Sequence, residues 1–203
     1  MVVGVVRIGA QRASLQQRLT VVLAGTFFAT VFGFAVAAAS PAPAEAYTPP
    51  YYSVELYYLK LVNCTRTGGW VLSDGTCKGY GSGRYSKYVP PLKLSSGLSS
   101  VSRVWAKKLA VNNLCTHFSG GNPGDRLRAA GYTSYVWGEN IGCRDGYSSA
   151  YKAVLLSHRS FQAEKSYGGG HWKNIKNARF KYIGIGVWKY SSRVRLVTDF
   201  YSW

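Results

Sequence analysis

Four cysteines constrain this chain more than any other feature: Cys64, Cys77, Cys115 and Cys143. An even count in an exported chain reads as a disulfide framework. Four cysteines allow three pairings, and the nearest-neighbour one joins Cys64 to Cys77 and Cys115 to Cys143. In the loop-entropy model each such bridge constrains the unfolded chain by about 3 kcal/mol. A competing reading is a Cys/His zinc site, because Cys115 lies two residues from His117. The short Cys-x-x-Cys spacing of such sites is missing, which argues against it. Asn63-Cys64-Thr65 also fits a glycosylation acceptor pattern.

Export is expected from the first 46 residues. Arg7, Arg12 and Arg18 form a basic start, and Thr20 to Ala39 is an almost unbroken apolar run. Ala44-Glu45-Ala46 then offers a small-x-small cleavage site before Tyr47, with Ala35-Val36-Ala37 and Ala37-Ala38-Ala39 as alternatives. Residues 1–46 thus read as a signal peptide and residues 47–203 as one exported domain. If the leader is not cleaved, the apolar run is long enough to anchor the domain in a membrane. Hydrophobic residues make up 47% of the chain and charged ones 16%, so a packed core is expected rather than disorder.

The whole chain carries a formal net charge of +17. Removing residues 1–46 takes away three Arg and one Glu and leaves +15. Such a surface attracts polyanions: anionic lipid or cell-wall polymers. Export argues against a dedicated nucleic-acid reader.

Periodicity supplies a coarse order of elements. Val54, Tyr57, Tyr58 and Leu61 fall on one helical face, with Ser53 as a candidate cap. Gly68-Gly69 and Asp74-Gly75 mark turns, and residues 79–100 read as loop. Ser99 or Ser100 could cap a second helix whose buried face is Val101, Val104, Trp105 and Leu109. A short helix over Asp125 to Ala130 ends at Gly131. Ser148 or Ser149 starts a third long helix to about Lys165, with Ala150, Val154, Ser157 and Phe161 as its stripe. Gly168-Gly169-Gly170 reads as a flexible break. Ile183, Ile185 and Val187 alternate as one strand, and Val194, Leu196, Thr198 and Phe200 as another, joined at Lys189 to Ser192. Helices followed by a hairpin suggest an α+β domain.

The exported part has only three His and three Glu. His117, Glu139, Glu164 and His171 all fall at Gly- or turn-flanked positions or at a helix end, where sites are commonly built. The Cys115–Cys143 pairing would draw His117 and Glu139 together.

These residues sit in recognisable company. Trp137-Gly138-Glu139-Asn140-Ile141 resembles the Gly-Glu-Asn signature of the CAP superfamily, which includes cysteine-rich secretory, antigen 5 and pathogenesis-related proteins. Leu114-Cys115-Thr116-His117 resembles the segment ending in that family's first cavity His. Glu164-Lys165 resembles its second cavity Glu. Gly170-His171-Trp172-Lys173-Asn174-Ile175, with the Gly184-Ile185-Gly186-Val187 strand starting thirteen residues after His171, resembles the segment carrying its second cavity His. Leu61-Val62-Asn63 and Arg66 resemble the end of the family's first helix, and Pro91-Leu92-Lys93 the entry to its second.

The resemblance implies a three-layer α-β-α sandwich with a central antiparallel sheet. It also implies an open cavity lined by His117, Glu139, Glu164 and His171. Two neutral imidazoles and two carboxylates can hold Zn²⁺ or another divalent metal, with His117 and His171 as ligands and a position open for water. A small ligand or lipid is the implied occupant. Alternatives are a basic wall- or surface-adhesion protein without cavity chemistry, and a hydrolase using the same His and Glu residues. Two features depart from the family pattern. Ser157-His158-Arg159 replaces an aromatic residue and makes His158 a rival for the second cavity His, and the Cys64–Cys77 loop is extra.

Overall fold

The computed structural model describes residues 48–203, so the expected signal peptide lies outside the described residues. The chain forms α1 (Tyr52–Arg66), β1 (Trp70–Val71), β2 (Cys77–Lys78), β3 (Lys93–Leu94), α2 (Ser96–Val111) and α3 (Pro123–Ala129). It continues through β4 (Trp137–Arg144), α4 (Ala150–Ala163), a 3₁₀ turn (Glu164–Ser166), α5 (Gly170–Lys176), β5 (Tyr182–Tyr190) and β6 (Arg193–Tyr201). The four longer-range strands order as β3-β5-β6-β4. All neighbours are antiparallel except the short β3–β5 pairing, which is parallel.

Alternation along the central strands separates the two sides of the sheet. Ile183, Ile185, Val187, Leu196 and Phe200 face α1 and α4 in the larger core cluster. On the other face Ile141 and Val197 meet Trp105, Ala106 and Leu109 of α2. Helices therefore cover both faces, and the expected three-layer α+β sandwich is what forms. α2 lies so close to the sheet that only glycine fits beneath it. A Cβ on Gly184 would come within 2.4 Å of Leu98, and one on Gly186 within 2.2 Å of Ser102.

That proximity corrects the expected second helix. It starts at Ser96, capped by Ser95, whose Oγ accepts from the Leu98 amide at 3.3 Å, rather than at Ser99 or Ser100. Its buried face includes Leu98, Ser99, Ser102, Trp105 and Ala106, whereas Val104 is 73% exposed. α1 likewise has Tyr51 as its cap position with no side-chain cap, so Ser53 lies inside the helix. The 168–170 stretch is no flexible break: Gly169 is the cap position of α5. α3 starts at Pro123, on a capping box made by Asn122 and Asp125. α4 is capped by Ser149 and buries the expected stripe.

The sheet edge at β5 is closed by side chains. Ile185 N–H donates to Ser99 Oγ at 3.1 Å, and Val187 N–H to Glu55 Oε1 at 3.4 Å. This satisfies edge amides that would otherwise invite another strand. Glu55 is in turn held by Arg103 at 2.5 Å.

Both nearest-neighbour disulfides form, Cys64–Cys77 and Cys115–Cys143, and among the described residues no cysteine is free. The zinc-thiolate alternative is thereby excluded. The first bridge ties the β1–β2 hairpin to α1. The Arg66 guanidinium, fully buried at the end of α1, gathers the loops beyond: it donates to the carbonyls of Pro90 (2.8 Å), Ile175 (2.7 Å), Asn177 (3.1 Å) and Phe180 (3.1 Å). Those bonds fix the C-terminal end of α5, the helix that carries His171.

Candidate functional site: a cavity between two histidine–glutamate pairs

His117 and Glu139 are brought together from separate elements. The Cys115–Cys143 bridge pins the loop after α2 to β4. His117 Nδ1 then lies 2.7 Å from Glu139 Oε1. A carboxylate only accepts, so this contact puts the ring proton on Nδ1. Arg126 of α3 completes the arrangement. Its Nη2 donates to Glu139 Oε2 at 2.6 Å and its Nη1 to the His117 carbonyl at 3.0 Å. The guanidinium lies 4.0 Å over the Trp105 ring. Glu139, expected at a Gly-flanked position, stands in β4, an edge strand of the sheet.

His171 and Glu164 are joined locally. Glu164 follows α4 directly and turns back over α5. Its Oε1 is 2.5 Å from His171 Nδ1, and its Oε2 accepts the amides of His171 (2.9 Å) and Trp172 (3.3 Å). The carboxylate thus caps α5, where helix amides lack partners. Gly169 permits the approach, since a Cβ there would sit 2.4 Å from Glu164 Oε2. The His171 ring stacks on Phe161 at 4.2 Å.

The two pairs line one cavity of about 290 Å³, together with Asn140, Tyr167, Gly169, Gly170 and Asn174. Asn140 Nδ2 donates to the His171 carbonyl at 3.1 Å. Asn174 Nδ2 lies 2.9 Å from Asn140 Oδ1 and 3.1 Å from the Glu139 carbonyl. Adjacent residues of β4 therefore hold both halves: Glu139 fixes the first imidazole, and Asn140 the backbone of the second.

His158 is elsewhere. It is fully buried on α4, with Nε2 2.8 Å from Thr65 Oγ1 and its ring edge-on to Tyr58. Burial pushes its imidazole down to about 3. Thr65 also bonds Gln162 (3.0 Å), which clasps the backbone of Val71 through both amide atoms. His158 is thus a core residue joining α4 to α1, and the rivalry with His171 ends there.

A further acid lies behind Glu139. Asp199 is directly opposite Glu139 in the β4–β6 register and is 2% exposed. Burial, then the Glu139 charge, pushes its carboxyl up to about 7. Ser102 Oγ lies 2.6 Å from Asp199 Oδ2 and 3.1 Å from the Leu98 carbonyl. A protonated Asp199 can donate to Ser102 while Ser102 donates onward. In the sequence Asp199 stands out only as the one acid of the 193–201 strand, between Thr198 and Phe200.

Among the described residues no group of three or more His, Cys, Asp or Glu converges as a metal-ligand set. A metal here would have the two imidazoles as its protein ligands. The donor chemistry suits that: with each Nδ1 held by a carboxylate, Nε2 is the lone-pair atom of both rings.

The domain is thus a disulfide-stapled α-β-α sandwich with a cavity between two His–Glu pairs. The chain belongs to the cysteine-rich secretory protein (CAP) family, whose model matches residues 62–200. The fold is shared with an extracellular SCP-domain protein from Bacillus anthracis (19% identity, TM-score 0.52), the match covering 76% of this chain and 44% of that one. It is also shared with an outer surface protein from Borrelia burgdorferi (15% identity, TM-score 0.55), covering 76% of this chain and 96% of that one. This chain therefore spans under half the length of the Bacillus protein. A sequence search of curated proteins found no match. Among the described residues no helix is long and apolar enough to cross a membrane.

Proposed function

We propose that this chain is a secreted CAP-domain protein whose cavity holds Zn²⁺ or a similar divalent ion between His117 and His171 and presents it to a small ligand or lipid. The observation that carries the reading is the matched pair of Nδ1–carboxylate contacts, 2.7 Å at His117 and 2.5 Å at His171. Such partners orient the ring and raise the basicity of the opposite nitrogen. Two protein ligands leave positions open for water or for an oxygen of the bound molecule, so the ion should exchange readily. When bound, the ion would supply a Lewis-acidic point in the cavity. The chain's own groups orient the imidazoles through Glu139 and Glu164 and hold the cavity wall through Asn140 and Asn174. Export by cleavage after Ala46 belongs to the same reading.

Calorimetric titration with Zn²⁺ tests it. One ion should bind per chain, and His117→Ala or His171→Ala should each remove most of the affinity. His158→Gln, checked for folding, should leave it nearly intact. Binding should weaken on acidification, because a protonated imidazole is no ligand. Zn²⁺ binding that survives both cavity substitutions would refute the proposal.

A further inference from the structure

The ion pairs among the described residues all use Arg or His, and none uses a lysine. The acids are taken up elsewhere: Glu55 by Arg103, Asp125 by Arg128, Asp145 by Arg195, and the two cavity glutamates by His117, Arg126 and His171. Asp199 is in the core. Asp74 is bonded to Thr76 at the hairpin turn and acts on Tyr57. Among the described residues, lysine charge is therefore not neutralised by a carboxylate.

Part of it gathers among aromatic rings. Lys165 Nζ donates to the Tyr85 carbonyl and lies 5.9 Å from the Trp70 ring centre. Lys176 Nζ donates to the carbonyls of Thr65 (3.0 Å), Arg66 (2.8 Å) and Lys87 (2.7 Å) and lies 5.8 Å from the Trp172 ring centre. Trp70 and Tyr85 are 6.3 Å apart between ring centres. Lys87, Lys165 and Lys173 are exposed, and Trp70, Tyr85 and Trp172 are half-buried. Lys176 is pushed down to about 8, by burial first and then by the charges of Arg66 and Lys165. The hairpin stapled by Cys64–Cys77 supplies Trp70 to this face.

We infer that this face binds a linear anionic glycan, its sugar rings lying against Trp70, Tyr85 and Trp172 and its charges meeting Lys87, Lys165 and Lys173. The C–H face of a sugar ring is apolar and packs on the negative face of an aromatic ring. The lysines then select chains that carry acid groups. A nucleic acid offers stacking and charge too, but the disulfide that holds the hairpin belongs to an oxidising compartment. A membrane-inserting face needs apolar side chains that protrude, and here Trp70, Tyr85 and Trp172 are half-buried.

The test uses the purified protein, an oligogalacturonate and EDTA, so it is independent of any metal in the cavity. Calorimetry at physiological ionic strength should show binding that weakens as salt rises. Lys165→Glu should weaken it at least tenfold, about 1.4 kcal/mol. Lys107→Glu makes the same charge change on α2 across the sheet and should alter it less than twofold. Trp70→Leu, which keeps apolar bulk in the hairpin, should also weaken it several-fold. Equal losses at Lys165 and Lys107 would overturn the inference, as would an unaffected Trp70→Leu or no binding at all. Tighter, Lys165-dependent binding of an oligothymidylate or of phosphatidylglycerol vesicles would overturn it in favour of those partners.

Discussion

The two halves of the cavity reach the same imidazole–carboxylate contact by opposite routes. His117 and Glu139 are 22 residues apart and meet because a disulfide, the edge strand β4 and Arg126 converge on them. His171 and Glu164 are 7 residues apart and meet within a single turn between two helices. In the first half the carboxylate is compensated by a guanidinium and backed by a second buried acid. In the second it is compensated by backbone amides at a helix start. The comparison teaches that one half depends on long-range assembly and the other on local geometry, so each should fail in its own way.

Removing the carboxylates should give the largest contrast. Glu139→Leu leaves Arg126, only 16% exposed, without its counter-charge, and should cost about 3 kcal/mol in urea unfolding. Glu164→Leu uncaps a short helix and should cost about 1 kcal/mol. Equal losses would erase the distinction between the halves.

The disulfides sharpen it further. Replacing either pair by serine should cost about 3 kcal/mol through the unfolded state. Only the Cys115/Cys143 change should release His117, which is visible as loss of Zn²⁺ affinity beyond any loss of fold. The Cys64/Cys77 change should leave the cavity's Zn²⁺ affinity in place. Gly169→Ala addresses the local half: its Cβ would collide with Glu164 Oε2 and should cost about 1–3 kcal/mol while leaving the His117 half unaltered by NMR.

The smallest effects concern pH. The folded Asp199 carboxyl is raised to about 7 from an ordinary value of about 3.9, so its favourable contribution is present below that ordinary value and is lost as pH rises through 7. Asp199→Asn should therefore raise Tm at pH 8 and change it little near pH 4. His158 works in the opposite sense. Held neutral down to about 3, it favours the fold above about 6.5, and that contribution is lost as pH falls towards 3. Thermal melts from pH 4 to 8 on Asp199→Asn and His158→Gln separate the two slopes.

What the sequence made legible follows from where side chains dominate. The α4 stripe and the β5–β6 hairpin are apolar and periodic, and they form where periodicity places them. The interface of α2 is different. Gly184 and Gly186 let its backbone come so close that Ser99 and Ser102 do the packing, and hydropathy hides that face while promoting the exposed Val104. β4 was visible only as a Gly-Glu-Asn resemblance, because Glu139 and Asn140 are buried polar residues in a strand without apolar alternation. The four cavity residues were found by motif and spacing. Arg126 and Asp199 were not, since a surface-looking arginine and an acid in a strand carry no spacing signal for a contact made across the fold.

In the proposed metal site both cavity imidazoles are held by their Nδ1 protons, which leaves both Nε2 atoms to take the ion. Long-range ¹H–¹⁵N correlation spectra of the histidine rings test this directly. In metal-free protein at neutral pH, His117 and His171 should both show the Nδ1–H tautomer, and added Zn²⁺ should shift both Nε2 signals while leaving His158 unmoved. An Nε2–H tautomer at either ring, or Nε2 signals that ignore Zn²⁺, would contradict it.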